Sequence, residues 1–305
     1  MTIDFKGRVA IVTGAGGGLG RAHALGLAAR GARVLVNDLG GARDGSGGSA
    51  TAAEAVVSEI RAAGGEALAN SASVTDFAAV QAMVQQAVDA WGRVDILVNN
   101  AGILRDKSFA KMEVADFAQV VDVHLMGAVH CCKAVWALMN AQKYGRILMT
   151  TSSSGLYGNF GQSNYSAAKM ALVGLMQTLA IEGAKNDIRV NCLAPTAATR
   201  MTEGLMPQAV LDALQPEAVV PAMLVLVAQD APNRTILCAG AGTFEAAHIT
   251  MTRGAWIGGD AQAPERLHER LAQVLDRTGD SVPKDASAQG TNEVGLALKN
   301  AVRGA

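Results

Sequence analysis

No block of basic residues interrupts this chain: 26 Lys and Arg stand against 27 Asp and Glu in 305 residues, a net charge of −1. That balance excludes a surface built to hold nucleic-acid phosphates. Cysteine is sparse too. Cys131, Cys132, Cys192 and Cys238 show neither C-x-x-C spacing nor a dense framework, which rules out a disulfide scaffold and points to a reduced, cytoplasmic protein. The five histidines are scattered, and His124 and His130 fall on different faces of a helix, so no metal-ligand set is expected. Long apolar runs are missing as well: AVVPAMLVLVA at 218–228 is too short to cross a bilayer and contains Pro221, so no membrane span is expected. The opening MTIDFKGRVAIVTG carries an early acid and no extended apolar segment, unlike a secretory signal.

What the chain has in quantity is apolar residues, 50% of the total, ample for a large core. Short β-branched or apolar runs occur at 8–13, 32–38, 66–74, 94–100, 145–152, 188–195 and 234–240. Ala-rich stretches of helical length, such as GRAHALGLAARG, lie between the early ones. Apolar strands alternating with helices predict an α/β fold, a doubly wound parallel sheet of seven strands with helices on both faces. No composition break divides the first 250 or so residues, and one domain is expected over 1–262. Residues 263–305 then form a helical or irregular extension, polar and turn-rich in TGDSVPKDASAQGTNEVG.

The first strand runs straight into TGAGGGLG, residues 13–20. Gly14, Gly18 and Gly20 allow a tight turn and close approach of the backbone, and the following helix N-terminus offers free N–H groups to a pyrophosphate. A plain βα turn would look similar, but its place between the first strand and first helix favours a nucleotide loop. The second strand ends in Asp38, whose carboxylate suits both hydroxyls of an adenosine ribose and repels a 2′-phosphate, favouring NAD over NADP. Gly17 and Leu39 are not basic; Arg43, nearby, is the one residue that complicates this choice. The glycine-rich LGGARDGSGGS is assigned no chemistry.

The chemistry lies in TTSSSGLYGNFGQSNYSAAKMALVGL, residues 150–175. Tyr165 and Lys169 are four apart and project from one helix face. A free phenol titrates near pH 10; a neighbouring ammonium favours the phenolate, and bringing the group near neutrality corresponds to roughly 4 kcal/mol. Such a tyrosine exchanges a proton with an alcohol, and Ser152, at a strand end, can hold the same oxygen. Y-x-x-x-K alone is common on surface helices. Its spacing from Ser152 and the N-terminal glycine loop together point to catalysis.

Together, TGAGGGLG, NNAG at 99–102 and YSAAK resemble the short-chain dehydrogenase/reductase family over residues 5 to about 245. VNDLGG, NNAGILRDKSF, QKYGRILMTTSSSGLYGNFGQSNYSAAK and TRMTEGLMP resemble one branch of it, the D-specific (3R)-hydroxyacyl-CoA dehydrogenase domains of peroxisomal multifunctional enzymes type 2. The resemblance implies a Rossmann fold and an NAD-dependent oxidoreductase. It implies that Ser152 orients the substrate oxygen, Tyr165 is the acid/base, and Lys169 tunes Tyr165 and holds the nicotinamide ribose. Gly14, Gly18, Leu19 and Gly20 would form the pyrophosphate loop and Asp38 would bind the ribose. Ser73 and Val74 would meet the adenine; Asn99, Ala101 and Gly102 would lie under the cofactor. Pro195 and Thr199 would border the nicotinamide carboxamide. Thr196 stands where much of the family has glycine.

The substrate implied is a secondary alcohol, a (3R)-3-hydroxyacyl-CoA or a 17β-hydroxysteroid. The stretch from Thr199 to Gln215, with Met201, Leu205 and Met206, would be a short lid over an open site suited to either. A non-catalytic nucleotide-binding scaffold is the contrasting reading, and the intact Ser152, Tyr165 and Lys169 argue against it. The family pairs two long helices, so a homodimer or homotetramer is expected through AVHCCKAVWALM and YSAAKMALVGLMQTLAIEG. Hydratase and sterol-carrier segments are not recognised, and the ending VRGA is no peroxisomal tripeptide, in keeping with a cytoplasmic enzyme. His124 stands where most of the family has asparagine. It either supports a proton relay behind Lys169 or is a hydrogen-bonded core histidine.

Overall fold

Each residue of VAIVT is buried, and this run forms β1 (Val9–Thr13) at the centre of a sheet. The other strands are β2 (Arg33–Asn37), β3 (Ala67–Asn70), β4 (Ile96–Asn99), β5 (Gly145–Thr150), β6 (Ile188–Pro195), β7 (Ile236–Gly240) and β8 (Thr243–Ala247). They lie in the order β3-β2-β1-β4-β5-β6-β7-β8. Pairings from β3 through β7 are all parallel, with Val12 opposite both Val36 and Val98. The computed structural model describes residues 2–42, 44–198 and 207–301.

The helices are α1 (Gly18–Ala28), α2 (Thr51–Ala62), α3 (Phe77–Trp91), α4 (Val114–Val121), α5 (Gly127–Gln142), α6 (Ser153–Tyr157), α7 (Ser163–Gly183), α8 (Gln208–Ala213), α9 (Val220–Leu226), α10 (Ala263–Glu269), α11 (Leu271–Leu275) and α12 (Ser287–Ala301). Local chemistry sets their ends: Asp76 caps α3 by accepting from the Ala79 amide at 3.1 Å, and Gly92 closes it at φ +77°. Strand residues alternate between two layers. Ala10, Val12, Val34, Val36, Ile96, Val98 and Leu148 join residues of α1, α2 and α9 in one core. Ile11, Leu35, Leu97 and Ile147, equally buried, point the opposite way, where α5 and α7 pack on β5. The doubly wound arrangement is thus as expected.

Among the described residues the sheet has eight strands rather than seven. Ala241 and Gly242, both at positive φ, make a two-residue turn after β7, and a connection that short permits only an antiparallel hairpin. Most of β8 is exposed, so it carries no continuous apolar run for the sequence to reveal. β3 is shorter than expected, because residues after Asn70 leave the sheet.

Between α4 and α5 the helix widens into a π turn at Asp122–Met126, which contains the buried His124. Helix α4 packs on α7 and helix α5 on α3. The whole run Val114–Gln142 is long and apolar enough to cross a membrane by length and composition; Val120, Cys131, Val135 and Met139 within it are buried in the domain.

At the amino ends of the strands the charges are fully engaged. Asp95, buried, receives Arg8 at 3.0 Å, Arg93 at 2.6 Å and the Val9 amide at 2.9 Å. Arg146, also buried, uses all five N–H groups: on the carbonyls of Ala228, Gly145, Asp187 and Gln229, and on the Asp187 carboxylate at 3.0 Å. The Tyr144 ring lies against both guanidiniums, 3.7 Å from Arg8 and 4.1 Å from Arg146.

By packing, the chain forms two compact units, Met1–Ala246 and Ala247–Ala305. The division falls before residue 262, so 247–262 belong with the second unit. That unit holds α10 to α12 and a bridge between Met251 and Ser281. Helix α12 occupies part of the polar tail and buries none of its residues.

Candidate active site

Strand order reverses between β1 and β4, and crevices outside the carboxyl ends at such a point receive ligands in open α/β sheets. A cleft of about 590 Å³ lies there. Gly14, Gly18, Leu19 and Gly20 line it from the first βα turn, Asp38 from just beyond β2, and Ser73 and Val74 from the segment after β3. Ala101, Gly102, His124, Ser152, Tyr165, Lys169 and Pro195 complete the expected set. Thr199, Met201, Leu205 and Met206, like Arg43, lie outside the described residues.

Asn99 is a correction. It does not line this cleft but a small void behind it, and its Nδ2 donates to Cys132 Sγ at 3.5 Å. Alternation along β4 turns Asn99 toward α5. The next residue, Asn100, does the work at the cleft floor: its Nδ2 donates to the carbonyls of Thr13 (3.1 Å) and Gly14 (3.0 Å). The amides of Asn100 and Ala101 in turn donate to Thr13 Oγ1. This clamp joins the carboxyl ends of β1 and β4. The pair of asparagines was the only sequence signal for it.

The nucleotide half fits a dinucleotide. A Cβ at residue 20 would overlap the Gly14 carbonyl, so the turn closes only with glycine there. α1 has no side-chain cap and no acid in its first turn, which leaves its N-terminal amides and dipole open to an anion. Asp38 accepts from the amides of Gly16 and Gly40, each at 2.7 Å, and still faces the cleft. Leu39, Gly41, Ala42 and Gly45 also line the cleft, from the glycine-rich loop that was assigned no chemistry.

Ser152 caps α6, its Oγ accepting from the Ser154 amide at 3.2 Å. Tyr165 is the third residue of α7, in its first turn; its amide donates to Asn164 Oδ1 at 2.7 Å, and Asn164 Nδ2 donates to the Arg105 carbonyl at 3.0 Å. Lys169, buried, donates from Nζ to the Thr150 carbonyl at 2.6 Å and lies 5.5 Å from the Tyr165 ring centre. The hydroxyls of Ser152 and Tyr165 are hydrogen-bonded.

The electrostatics differ from expectation. Burial pushes the Tyr165 phenol above its ordinary value, the Ser152 hydrogen bond pulls it back and Asp106 pushes it up. Lys169 is itself buried. Its own burial brings it down to about 7, and its ammonium is turned to Thr150. Desolvation is the largest cause for both groups.

His124 packs edge-on against Tyr165, ring centres 5.2 Å apart at 90°. Its Nε2 is 2.8 Å from the Ile103 carbonyl; in the tautomer that donates there, Nδ1 has no partner among the described residues. A Cβ at residue 102 would overlap the imidazole, so Gly102 makes room for it. Burial first, then the Lys169 charge, lowers His124 to about 3, so the ring is neutral. No group of three or more His, Cys, Asp or Glu is placed to hold a metal among the described residues.

The chain matches the short chain dehydrogenase family over residues 8–209. It is 46% identical to peroxisomal multifunctional enzyme A of Dictyostelium discoideum over 288 residues, 94% of this chain and 64% of that enzyme. The structure of full-length peroxisomal multifunctional enzyme type 2 from Drosophila melanogaster is similar with a TM-score of 0.81 at 38% identity, covering 98% of this chain and half of that one. A 7α-hydroxysteroid dehydrogenase complexed with NADH and 7-oxo glycochenodeoxycholic acid matches with a TM-score of 0.70 at 31% identity, covering 78% of this chain and 95% of that one. The chain thus spans under two thirds of the multifunctional relatives.

Proposed function

Since the chain belongs to the short-chain dehydrogenase family and is an oxidoreductase, we propose that it oxidises (3R)-3-hydroxyacyl-CoA thioesters to 3-ketoacyl-CoA with NAD. The observation that carries this is the convergence of Ser152, Tyr165 and Lys169 on one wall of a cleft whose other end is Asp38. The multifunctional relatives favour the thioester. So do the exposed Tyr157 (73%) and Phe160 (91%) beside the cleft residue Asn159, apolar surface suited to an acyl chain.

Bound NAD supplies the hydride acceptor. Ser152 Oγ holds the substrate hydroxyl, and the Tyr165 oxygen takes its proton as the carbinol C–H leaves as hydride, giving the ketone. Lys169 spends one N–H on Thr150 and has two left for ribose hydroxyls. The positive charge of the oxidised cofactor opposes the upward push of burial on Tyr165. The Asp38 charge disfavours a 2′-phosphate, so NAD is the cofactor rather than NADP. Two copies pair through α5 and α7, where Met170 and Ile181 are exposed.

The steroid-dehydrogenase likeness supports a second reading, a hydroxysteroid substrate. Incubating the protein with NAD and a panel of (3R)-3-hydroxyacyl-CoA esters and 17β-hydroxysteroids separates them. NADH is expected from the thioesters; NADH from the steroids alone would replace the first reading with the second.

A further inference from the structure

The loop between β2 and α2 is glycine-rich, yet its described residues are held by bonds of their own. Ser49 N donates to the Leu39 carbonyl at 2.9 Å and Ala42 N to the Ser46 carbonyl at 2.7 Å. The Asp44 carboxylate accepts from both the amide and hydroxyl of Ser46. From the end of β2 this strap reaches past β1 to the segment after β4, where Gly45 packs against Ile103 and Gln119. Gly41, Ala42 and Gly45 line the cleft.

At the far side the strap is gripped by one side chain. Arg105 Nε donates to the Asp44 carbonyl at 3.1 Å, and its Nη1 is anchored on Asp116 at 2.6 Å; Lys107 shares Asp116 at 3.2 Å. The Arg105 carbonyl also accepts from Asn164, the fully buried residue whose Oδ1 holds the Tyr165 amide.

We infer that Arg105 is a positioning residue that latches a strap, residues 39–42 and 44–50, over bound dinucleotide. The inference rests on the cofactor reading above: a dinucleotide held at Asp38 and at Lys169 passes between strap and glycine loop. The latch keeps it there, and release requires the Arg105–Asp44 bond to open. Because the main chain of Arg105 also braces the turn bearing Tyr165, cofactor retention and acid/base placement share one residue but different atoms of it.

The test is NADH dissociation from the whole protein, followed by stopped-flow fluorescence. A hydrogen bond from a charged group is worth about a tenfold change. Arg105→Ala should therefore release NADH about tenfold faster and raise KM for NAD similarly, with KM for the thioester and the melting temperature held. Deleting residues 44–47 should release NADH faster to the same degree, and adding Arg105→Ala to the deletion should change nothing more. Unchanged dissociation in Arg105→Ala, or an undiminished effect of it in the deletion background, would overturn the latch. If the wild-type protein failed to bind NADH, the cofactor reading would fall first, and the latch with it.

Discussion

At the amino ends of β1, β4, β5 and β6, all five Arg146 N–H groups have acceptors and Asp95 is held by two arginines and an amide. At the carboxyl end, Asn99 Oδ1, His124 Nδ1 and Thr150 Oγ1 have no partner among the described residues. One end spends its polar groups on itself. The other leaves them free beside the cleft and buries an amine, Lys169, against its preference for charge. Buried polar groups without partners destabilise a fold; His23, Ser166 and Asp280 hold others elsewhere, but Asn99, His124 and Thr150 lie beside the groups proposed to do the chemistry.

The contrast is sharpest if each end is damaged separately. Tyr165→Phe should lower turnover on the order of 10³-fold or more, the range of a lost acid/base, with the melting temperature held. Asp95→Ala should do the reverse. Breaking a buried pair costs about 3–5 kcal/mol, and partly exposed Arg8 and Arg93 put this one near about 3; denaturant unfolding should show it while kcat/KM per folded molecule is unchanged. Loss of activity at full stability in Asp95→Ala would break the division of labour.

A third variant tests the burden carried by the cleft. Lys169 is lowered from 10.5 to about 7, so between those values the unfolded chain binds a proton that the folded chain does not. Wild-type stability should therefore rise with pH across that window, by up to about 1.4 kcal/mol per unit from this group. Lys169→Met should abolish turnover, lose that slope and be the more stable protein near pH 7. The smallest effect on activity concerns the neutral histidines. His23 is lowered by burial to about 4 and His124 to about 3, so each makes stability fall as pH drops below 6.5. His23→Leu or His124→Asn should each flatten an acid unfolding profile by one histidine. His124→Asn should also keep most activity, which a pH–rate profile would verify.

What the sequence disclosed and what it hid divide along similar lines. The glycine loop, Ser152, Tyr165 and Lys169 were legible because their geometry is local: a strand-to-helix turn, a helix cap, an i, i+4 pair. The amino-end network was not. Arg8, Asp95 and Arg146 meet only because parallel strands align their starts, and a single arginine in a strand reads as an ordinary surface charge. Asn99 and Asn100 were confused because strand alternation, invisible in the string NNAG, sends one behind the sheet and the other across the cleft floor. The burial of the phenol was hidden for a related reason: i, i+4 spacing shows proximity but says nothing of burial. The strap looked like a connection because its partner, Arg105, lies far along the chain.

The π turn at Asp122–Met126 has a genetic consequence. Each helical residue advances the chain by about 100°, so the extra residue sets α4 and α5 in different phases. α4 thereby faces α7 while α5 faces α3, with His124 at the joint. Losing one codon here would restore an unbroken α-helix and rotate one segment off its partner, whichever residue was lost. In this helix a deletion is therefore more damaging than nearly any substitution.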